Sequence, residues 1–166
     1  TGLRLPYFIT IGKSRDLTLT PFFSTKGTKT LEFRYRQVVN KGSISLTGSG
    51  SPITGAFDLQ ATAKGQDMRA GIAPLDSVLS GSALLRASVL RDTTGVALRE
   101  LTLQAQSLTA SAQGQLASAG SDVMATLNFT DLQSLGAGYR GSLSGKAHLT
   151  GTQAQAQMTL TATGQS

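Results

Sequence analysis

Residues 15–36, "RDLTLTPFFSTKGTKTLEFRYR", alternate apolar and polar side chains on both sides of a glycine-containing break, "STKGTK". In the second half, Leu31, Phe33 and Tyr35 share one parity while Glu32, Arg34 and Arg36 take the other. A period of two places successive side chains on opposite faces of a strand, so the stretch reads as two strands with a turn between them. Its apolar face suits either a half-buried strand of a sandwich or a strand that turns its apolar side to lipid and its charged side to water.

Outward from this stretch the same period continues. Strands are expected near 16–23, 30–38 and 43–47, separated by turn-like "STKGTK" and "VNKG". The preceding "LPYFITIGKSRD" is β-branched and aromatic with Pro6 near its start, which suits a sheet edge. Further on, "AFDLQATA" aligns Phe57, Leu59, Ala61 and Ala63, and "DVMATLNF" aligns Val123, Ala125, Leu127 and Phe129. Leu85, Ala87 and Val89 fall in step in "ALLRASVL", as do Met158, Leu160 and Ala162 in "QMTLTATG". In "RELTLQAQSLTASAQGQL", Leu101, Leu103 and Ala105 agree in phase, then Leu108, Ala110 and Ala112; the slip between Ala105 and Leu108 predicts a bulge or bend. The opposite parity is Thr, Ser and Gln almost throughout, so one face is expected to be wet and uncharged.

Two stretches break the pattern. "APLDSVLSG", with Leu75, Val78 and Leu79, and "FTDLQSLGAG", with Leu132 and Leu135, predict one or two helical turns each, with an Asp near the start and glycine after. Each precedes a similar strand. Leu75 and Leu132 lie 57 residues apart, and Ala87 and Ala147 lie 60 apart, a degenerate internal repeat. The fold class expected is all-β: an elongated, largely antiparallel sheet curled into a trough or partly closed barrel, with one or two short helices.

Composition divides the chain of 166 residues. Residues 1–52 hold eight Lys or Arg against two acids and six of the nine aromatics, while 53–166 hold seven bases and seven acids. "GSISLTGSGSPITGA" between them is Gly- and Ser-rich, so a boundary is read near 48–55, with a basic aromatic segment 1–50 and a neutral small-residue segment 51–166. There is no cysteine, and no run of about 18 apolar residues that would make a membrane helix.

The residues offer little for catalysis. "GAGYRG", 136–141, matches GxGxxG, but it follows a helical stretch, precedes an alternating strand, and has no acid after Asp131, so it reads as a turn. His148 is the only histidine and reads as a surface residue on the polar side of a strand. Asp58, Asp67, Asp76, Asp92, Glu100, Asp122 and Asp131 stand singly, mostly where turns and caps are expected. Arg34 and Arg36 project away from Phe33 and Tyr35, whereas single-strand nucleic-acid binding wants both on one surface. No catalytic residue, metal, cofactor or nucleic-acid partner is therefore expected.

The text "LPYFITIGKSRDLTLTPFFSTKGTKTLEFRYRQVVNKGSISLTG" resembles the start of the barrel in the outer-membrane lipopolysaccharide-assembly (LptD) family, over residues 5–47. That resemblance implies Leu31, Phe33 and Tyr35 facing lipid and Glu32, Arg34 and Arg36 facing a lumen. From about Ala56 to Ser166, "IAPLDSVLSGSALLRASVLRDTTGVALRELTLQAQSLTASAQGQL" and "LNFTDLQSLGAGYRGSLSGKAHLTG" are similar to TamB and AsmA-like periplasmic proteins of the translocation and assembly module. This second resemblance implies a sheet curled into a trough, handling lipid acyl chains or outer-membrane protein segments in the periplasm or outer membrane of a Gram-negative bacterium. Lipid or detergent is the partner implied, with an outer-membrane barrel beside it, and the two pieces together suit a fusion, a shuffled open reading frame or an assembled fragment. The groove side is expected to comprise Phe57, Leu59, Leu85, Val89, Leu101, Leu103, Leu108, Val123, Leu127, Phe129, Leu149, Met158 and Leu160, with Ala105, Ala110, Ala112 and Ala125 leaving room for an alkyl chain. The competing expectations are a self-packed structural or interaction domain, and a chimera with no native activity.

Overall fold

A computed structural model describes residues 2–27, 29–68, 73–136, 138–152 and 155–165. The chain forms one antiparallel sheet of twelve strands that is not closed. Strands β3 (Arg15–Ser24), β4 (Lys29–Val39), β5 (Gly42–Gly50), β6 (Phe57–Gln66), β7 (Ser82–Arg91), β8 (Val96–Gln104), β9 (Leu108–Leu116), β10 (Ser121–Phe129), β11 (Ser142–Thr152) and β12 (Gln155–Gln165) pair each with the next. The short β1 (Gly2–Arg4) and β2 (Tyr7–Thr10) both lie along the free side of β3. Pro6 stands between them, where its missing N–H and fixed φ interrupt what would otherwise be one edge strand.

The sheet passes through the compositional boundary without a break. The Gly- and Ser-rich stretch supplies the last residues of β5 and a tight turn, in which the Ser51 amide donates to the Ala56 carbonyl at 2.8 Å. β5 and β6 then pair over nine consecutive positions, from Gly42 opposite Gly65 to Gly50 opposite Phe57.

Both helical excursions leave the same end of the sheet. Helix α1 (Ala73–Val78) lies between β6 and β7, and a one-turn 3-10 helix (Leu132–Leu135) lies between β10 and β11. The expected helical segments are present. Leu75 belongs to α1, although its side chain lies outside the described set. The excursions start four strands apart, about 19 Å along a flat sheet, yet α1 and the 3-10 turn touch each other. They do so over the apolar side, where Val78, Leu108 and Phe129 are buried together with Leu103, Ala105, Leu127, Leu132, Leu135 and Leu143 around them. Asp131 caps the 3-10 turn by accepting from the Gln133 amide at 2.9 Å. Asp67, at φ +52°, closes the base of the α1 excursion: its carboxylate accepts from the Gly81 amide at 3.0 Å and its own amide donates to the Gly81 carbonyl at 2.9 Å.

Val78, Leu108, Phe129 and Ala83 are the only buried apolar residues among the described residues. A compact monomer of this mass exposes about 7,800 Å²; this 17.2 kDa chain exposes 11102 Å². The excess of about 3,300 Å² is the surface of a sheet that has no second layer over most of its area. No helix among the described residues is long and apolar enough to cross a membrane.

One local expectation is corrected. The phase slip between Ala105 and Leu108 is a chain reversal: β8 ends at Gln104, and the Ala105 amide donates to the Leu108 carbonyl at 2.8 Å across a tight turn into β9. The bulge lies within β8. Leu98 stands opposite Val89, and Glu100 opposite Ser88, so Arg99 is the extra residue. Inserting one residue is what lets Val96 and Leu98, of even number, share a face with Leu101 and Leu103, of odd number.

Candidate functional site: an apolar side with a lane of small residues

Directly paired residues of an antiparallel sheet point to the same side. The pairings therefore map one face across the whole molecule. Its central row runs from Leu17 through Tyr35, Leu46, Ala61, Ala87, Leu101, Ala112, Ala125 and Ala147 to Leu160. One row toward the helices are Ile44, Ala63, Leu85, Leu103, Ala110 and Leu127. One row the other way are Leu19, Phe33, Gly48, Leu59, Val89, Leu98, Gly114, Val123, Leu149 and Met158.

From β6 to β11 the central row is alanine at five of its six positions. Over the same strands the row away from the helices is Leu or Val on every strand but β9, where it is Gly114, while the row toward them alternates Leu85, Leu103 and Leu127 with Ala63, Ala110 and Gly145. Short side chains bordered on one side by a nearly continuous line of longer ones, and on the other by a broken line, make a lane across the strands, spanning five inter-strand spacings, about 24 Å. Leu101 interrupts it and is 37% exposed. Ala112 and Ala125 are direct neighbours in this lane, Ala110 lies in the next row, and Ala105 packs against the helical cluster.

Of the residues expected in the groove, Phe57, Leu59, Leu85, Val89, Leu101, Leu103, Val123, Leu127, Leu149, Met158 and Leu160 lie on this side. Leu108 and Phe129 lie on it too, but the two helical turns bury them, two rows to one side of the lane, so they belong to the covered cluster rather than to the lane's surface. Leu31, Phe33 and Tyr35 join the same side, opposite Gly50, Gly48 and Leu46 of β5. Glu32, Arg34 and Arg36 face the other way, in line with the Ser and Thr residues of β5. The residues expected to face lipid in 1–50 and those expected in the groove of 51–166 thus lie on one continuous side of the sheet. Leu17, Leu19, Leu46, Val96, Leu98 and Leu143 belong to it as well; the phase shift of "VALRELTL" was the available signal for Val96 and Leu98.

At the end away from the helices, Leu31, Phe33, Gly50, Pro52 and Phe57 line an apolar recess of about 280 Å³. Gly48 makes the approach of its neighbours feasible. A Cβ there would lie 2.6 Å from both the Asp58 carbonyl oxygen and Leu59 Cδ2, and 3.0 Å from Phe33 Cε1. Gly114 holds a φ of +148° beside Val123, a conformation that any side chain would strain. Charge on this side is confined to strand ends: Arg15, Lys29 and Arg91 share its parity, and among the described strand residues no carboxylate does.

The other side is hydroxyl- and amide-rich but not uncharged as expected: ion pairs are spaced across it, because Asp58, Arg99 and Asp122 share its parity or are turned onto it by the bulge. Arg36 Nε donates to Asp16 Oδ1 at 3.1 Å, and Arg4 Nη2 lies 3.2 Å from Glu32 Oε1. Arg99, displaced outward by the bulge, reaches across β7 and donates from both guanidinium nitrogens to Asp58. His148 Nε2 sits 2.8 Å from Asp122 Oδ1 on this exposed side. Asp92 serves the β7–β8 turn. Its carboxylate accepts from the Thr94 hydroxyl and amide and from the Gly95 amide, and these bonds hold it below the ordinary aspartate range. Gly136, at the head of "GAGYRG", ends the 3-10 turn at φ +152° and opens no helix. Among the described residues, no three His, Cys, Asp or Glu come together as a metal site would require.

A second cleft, about 920 Å³, lies between α1 and the ends of β4, β5 and β6, with Lys41, Lys64, Asp67 and Asp76 among its lining residues. Its charges are mixed, and Lys41 already pairs with Asp67 at 2.9 Å. No family model, curated protein or solved structure matches this chain.

Proposed function

We propose that this protein is a non-enzymatic carrier that holds the hydrocarbon chains of lipids along the apolar side of its sheet. The observation that carries the proposal is the lane of half-buried alanines at Ala61, Ala87, Ala112, Ala125 and Ala147, bordered by Leu59, Val89, Leu98, Val123 and Leu149 on one side and by Leu85, Leu103 and Leu127 on the other. Each methylene withdrawn from water contributes about 0.8 kcal/mol. The contacts are non-directional, so a bound chain is free to slide. Lys29 and Arg91 stand at the end opposite the helices, with Arg91 paired to Phe57 beside the apolar recess. There they suit an anionic headgroup.

The same side suits an outer-membrane protein segment less well. A peptide brings obligatory N–H and C=O groups, and the backbone groups between these strands already satisfy one another in the ladders. Laid over alanine and leucine, those peptide groups would lose water without replacement, at a cost of about 1–3 kcal/mol each. The two resemblances, both to envelope proteins, support the periplasm or outer membrane of a Gram-negative bacterium as the setting.

The test is purification without detergent, extraction with organic solvent, and mass spectrometry for lipid. Stoichiometric phospholipid or another acylated lipid is the expected result. Ala125→Phe, which fills the lane while keeping strand propensity, is expected to cut copurified lipid by at least about tenfold, the equivalent of 1.4 kcal/mol. A soluble, monodisperse and lipid-free wild-type protein would overturn the reading and leave a structural β domain.

A further inference from the structure

The hydroxyl-rich side of the sheet divides into a basic half and a balanced half. From β1 to β7 the strand residues that face this side include the bases Arg4, Arg34, Arg36, Lys64 and Arg86 against the acids Asp16, Glu32 and Asp58. From β8 to β12, Arg99 and Lys146 stand against Glu100 and Asp122, with His148 beside Asp122. Every acid of the basic half is already engaged: Asp16 by Arg36, Glu32 by Arg4 and Asp58 by Arg99. That leaves Arg34, Lys64 and Arg86, all exposed, without an ion pair among the described residues. Arg86 stands opposite Thr62, so Lys64 is its diagonal neighbour across the β6–β7 ladder, about 7–8 Å away. Like charges so placed repel, and an anion from outside the chain relieves that repulsion.

We propose that this basic half docks on the anionic headgroups of a lipid bilayer. Hydroxyls flank two of the three unpaired cations: Thr18 and Thr47 pair with Arg34, and Thr62 and Thr102 with Arg86. A phosphate held by either guanidinium therefore meets further donors at its side. Phe8 stands opposite Thr18 in the row of Arg34, and Val38 stands opposite Ser43; they are 62% and 64% exposed on this same side. An aromatic and an aliphatic side chain among cations suit the boundary between headgroups and acyl chains. A nucleic-acid strand would want several free aromatics to stack on. Phe22, which shares this side with Phe8, is covered by Arg4, whose guanidinium carbon lies 5.3 Å from the ring centre. The docking surface is opposite the alanine lane, so a docked molecule keeps its apolar side free. The proposal does not rest on lipid being carried in that lane.

The test is cosedimentation of the full chain with vesicles of phosphatidylcholine alone, and with vesicles of equal parts phosphatidylcholine and phosphatidylglycerol. Binding to the anionic vesicles and not to the neutral ones is expected. It is expected to vanish in about 0.5 M salt, where screening leaves charges a reach of only a few ångström. The triple variant Arg34→Gln, Lys64→Gln, Arg86→Gln is expected to bind anionic vesicles at least about tenfold more weakly. A second triple variant, Lys13→Gln, Lys26→Gln, Arg140→Gln, removes as many charges from the connections between strands and is expected to stay within about threefold of wild type. Far-ultraviolet circular dichroism and copurified lipid are expected to be unchanged in the first variant, which separates this surface from the lane. Equal binding to neutral vesicles would overturn the proposal. So would equal losses in the two triple variants, or a single-stranded DNA oligonucleotide bound more tightly than the anionic vesicles.

Discussion

Phe129 and Leu116 lie on the same side of neighbouring strands, yet their surroundings differ in kind. Phe129 is buried against Val78 and Leu108 beneath the helical turns, whereas Leu116 is 46% exposed at the far end of β9. Phe129→Ala is expected to lower unfolding stability by about 3 kcal/mol, at the low end for buried aromatics because the cluster is small. Leu116→Ala is expected to stay within about 0.5 kcal/mol. Urea titrations followed by circular dichroism would separate the two, and equal losses would show that the apolar side is covered in solution. Alternation in the sequence identified both residues as apolar-side candidates, but parity says only which side a residue takes. What lies above that side depends on two excursions whose starting points are 63 residues apart, Gln66 and Phe129. The polar positions were more legible singly: Asp92 and Asp131 read as turn and cap residues, because a short carboxylate accepting nearby amides is a local matter.

At the scale of the element, β8 is the informative strand. Its bulge at Arg99 reconciles two phases, and removing that residue restores simple alternation through "VALELTLQ". Deletion of Arg99 is therefore expected to keep the fold, losing the contact to Asp58 and some local twist, at a cost of about 1–2 kcal/mol. Deletion of Thr126 in β10 has the opposite character. It would turn Leu127 and Phe129 onto the Ser and Thr side or tear the ladder, and it is expected to abolish cooperative unfolding. If the Arg99 deletion proves as damaging as the Thr126 deletion, the assignment of the bulge is wrong. Strand limits were nearly legible from alternation: 16–23 and 30–38 extend by only one residue at each end, to Arg15–Ser24 and Lys29–Val39. The expected 43–47 grows to Gly42–Gly50, because its glycines and serines carry no alternation signal and join the strand only through their partners on β4 and β6. The slip between Ala105 and Leu108, which predicts a bulge or bend, marks a turn between two strands for a similar reason. A short turn without proline or glycine leaves the same phase change as a bulge.

Across the whole molecule each strand contacts chiefly its sequence neighbours, so stability accumulates pair by pair, as it does in repeat architectures. Hydrogen exchange is expected to be slowest in β8, β9 and β10 near the helical cluster and fastest in β1 and β2, which are short and wholly exposed. Uniform protection from β1 to β11 would contradict this gradient. The sequence by itself determined that the chain is all-β, that apolar and hydroxyl-rich side chains divide between two faces, and that two short helical turns interrupt the strands. Those properties follow from periods of two and from local turn chemistry, which neighbours along the chain suffice to specify. Only the tertiary structure decided that the sheet stays open, that the basic and neutral segments share one uninterrupted ladder, and that Leu31, Phe33 and Tyr35 lie on the surface that carries the alanine lane. The physical reason is register. Which alanine stands beside which is set by pairing between strands, and a bulge, a tight turn or a cap shifts that pairing without leaving a distinct mark in the alternation.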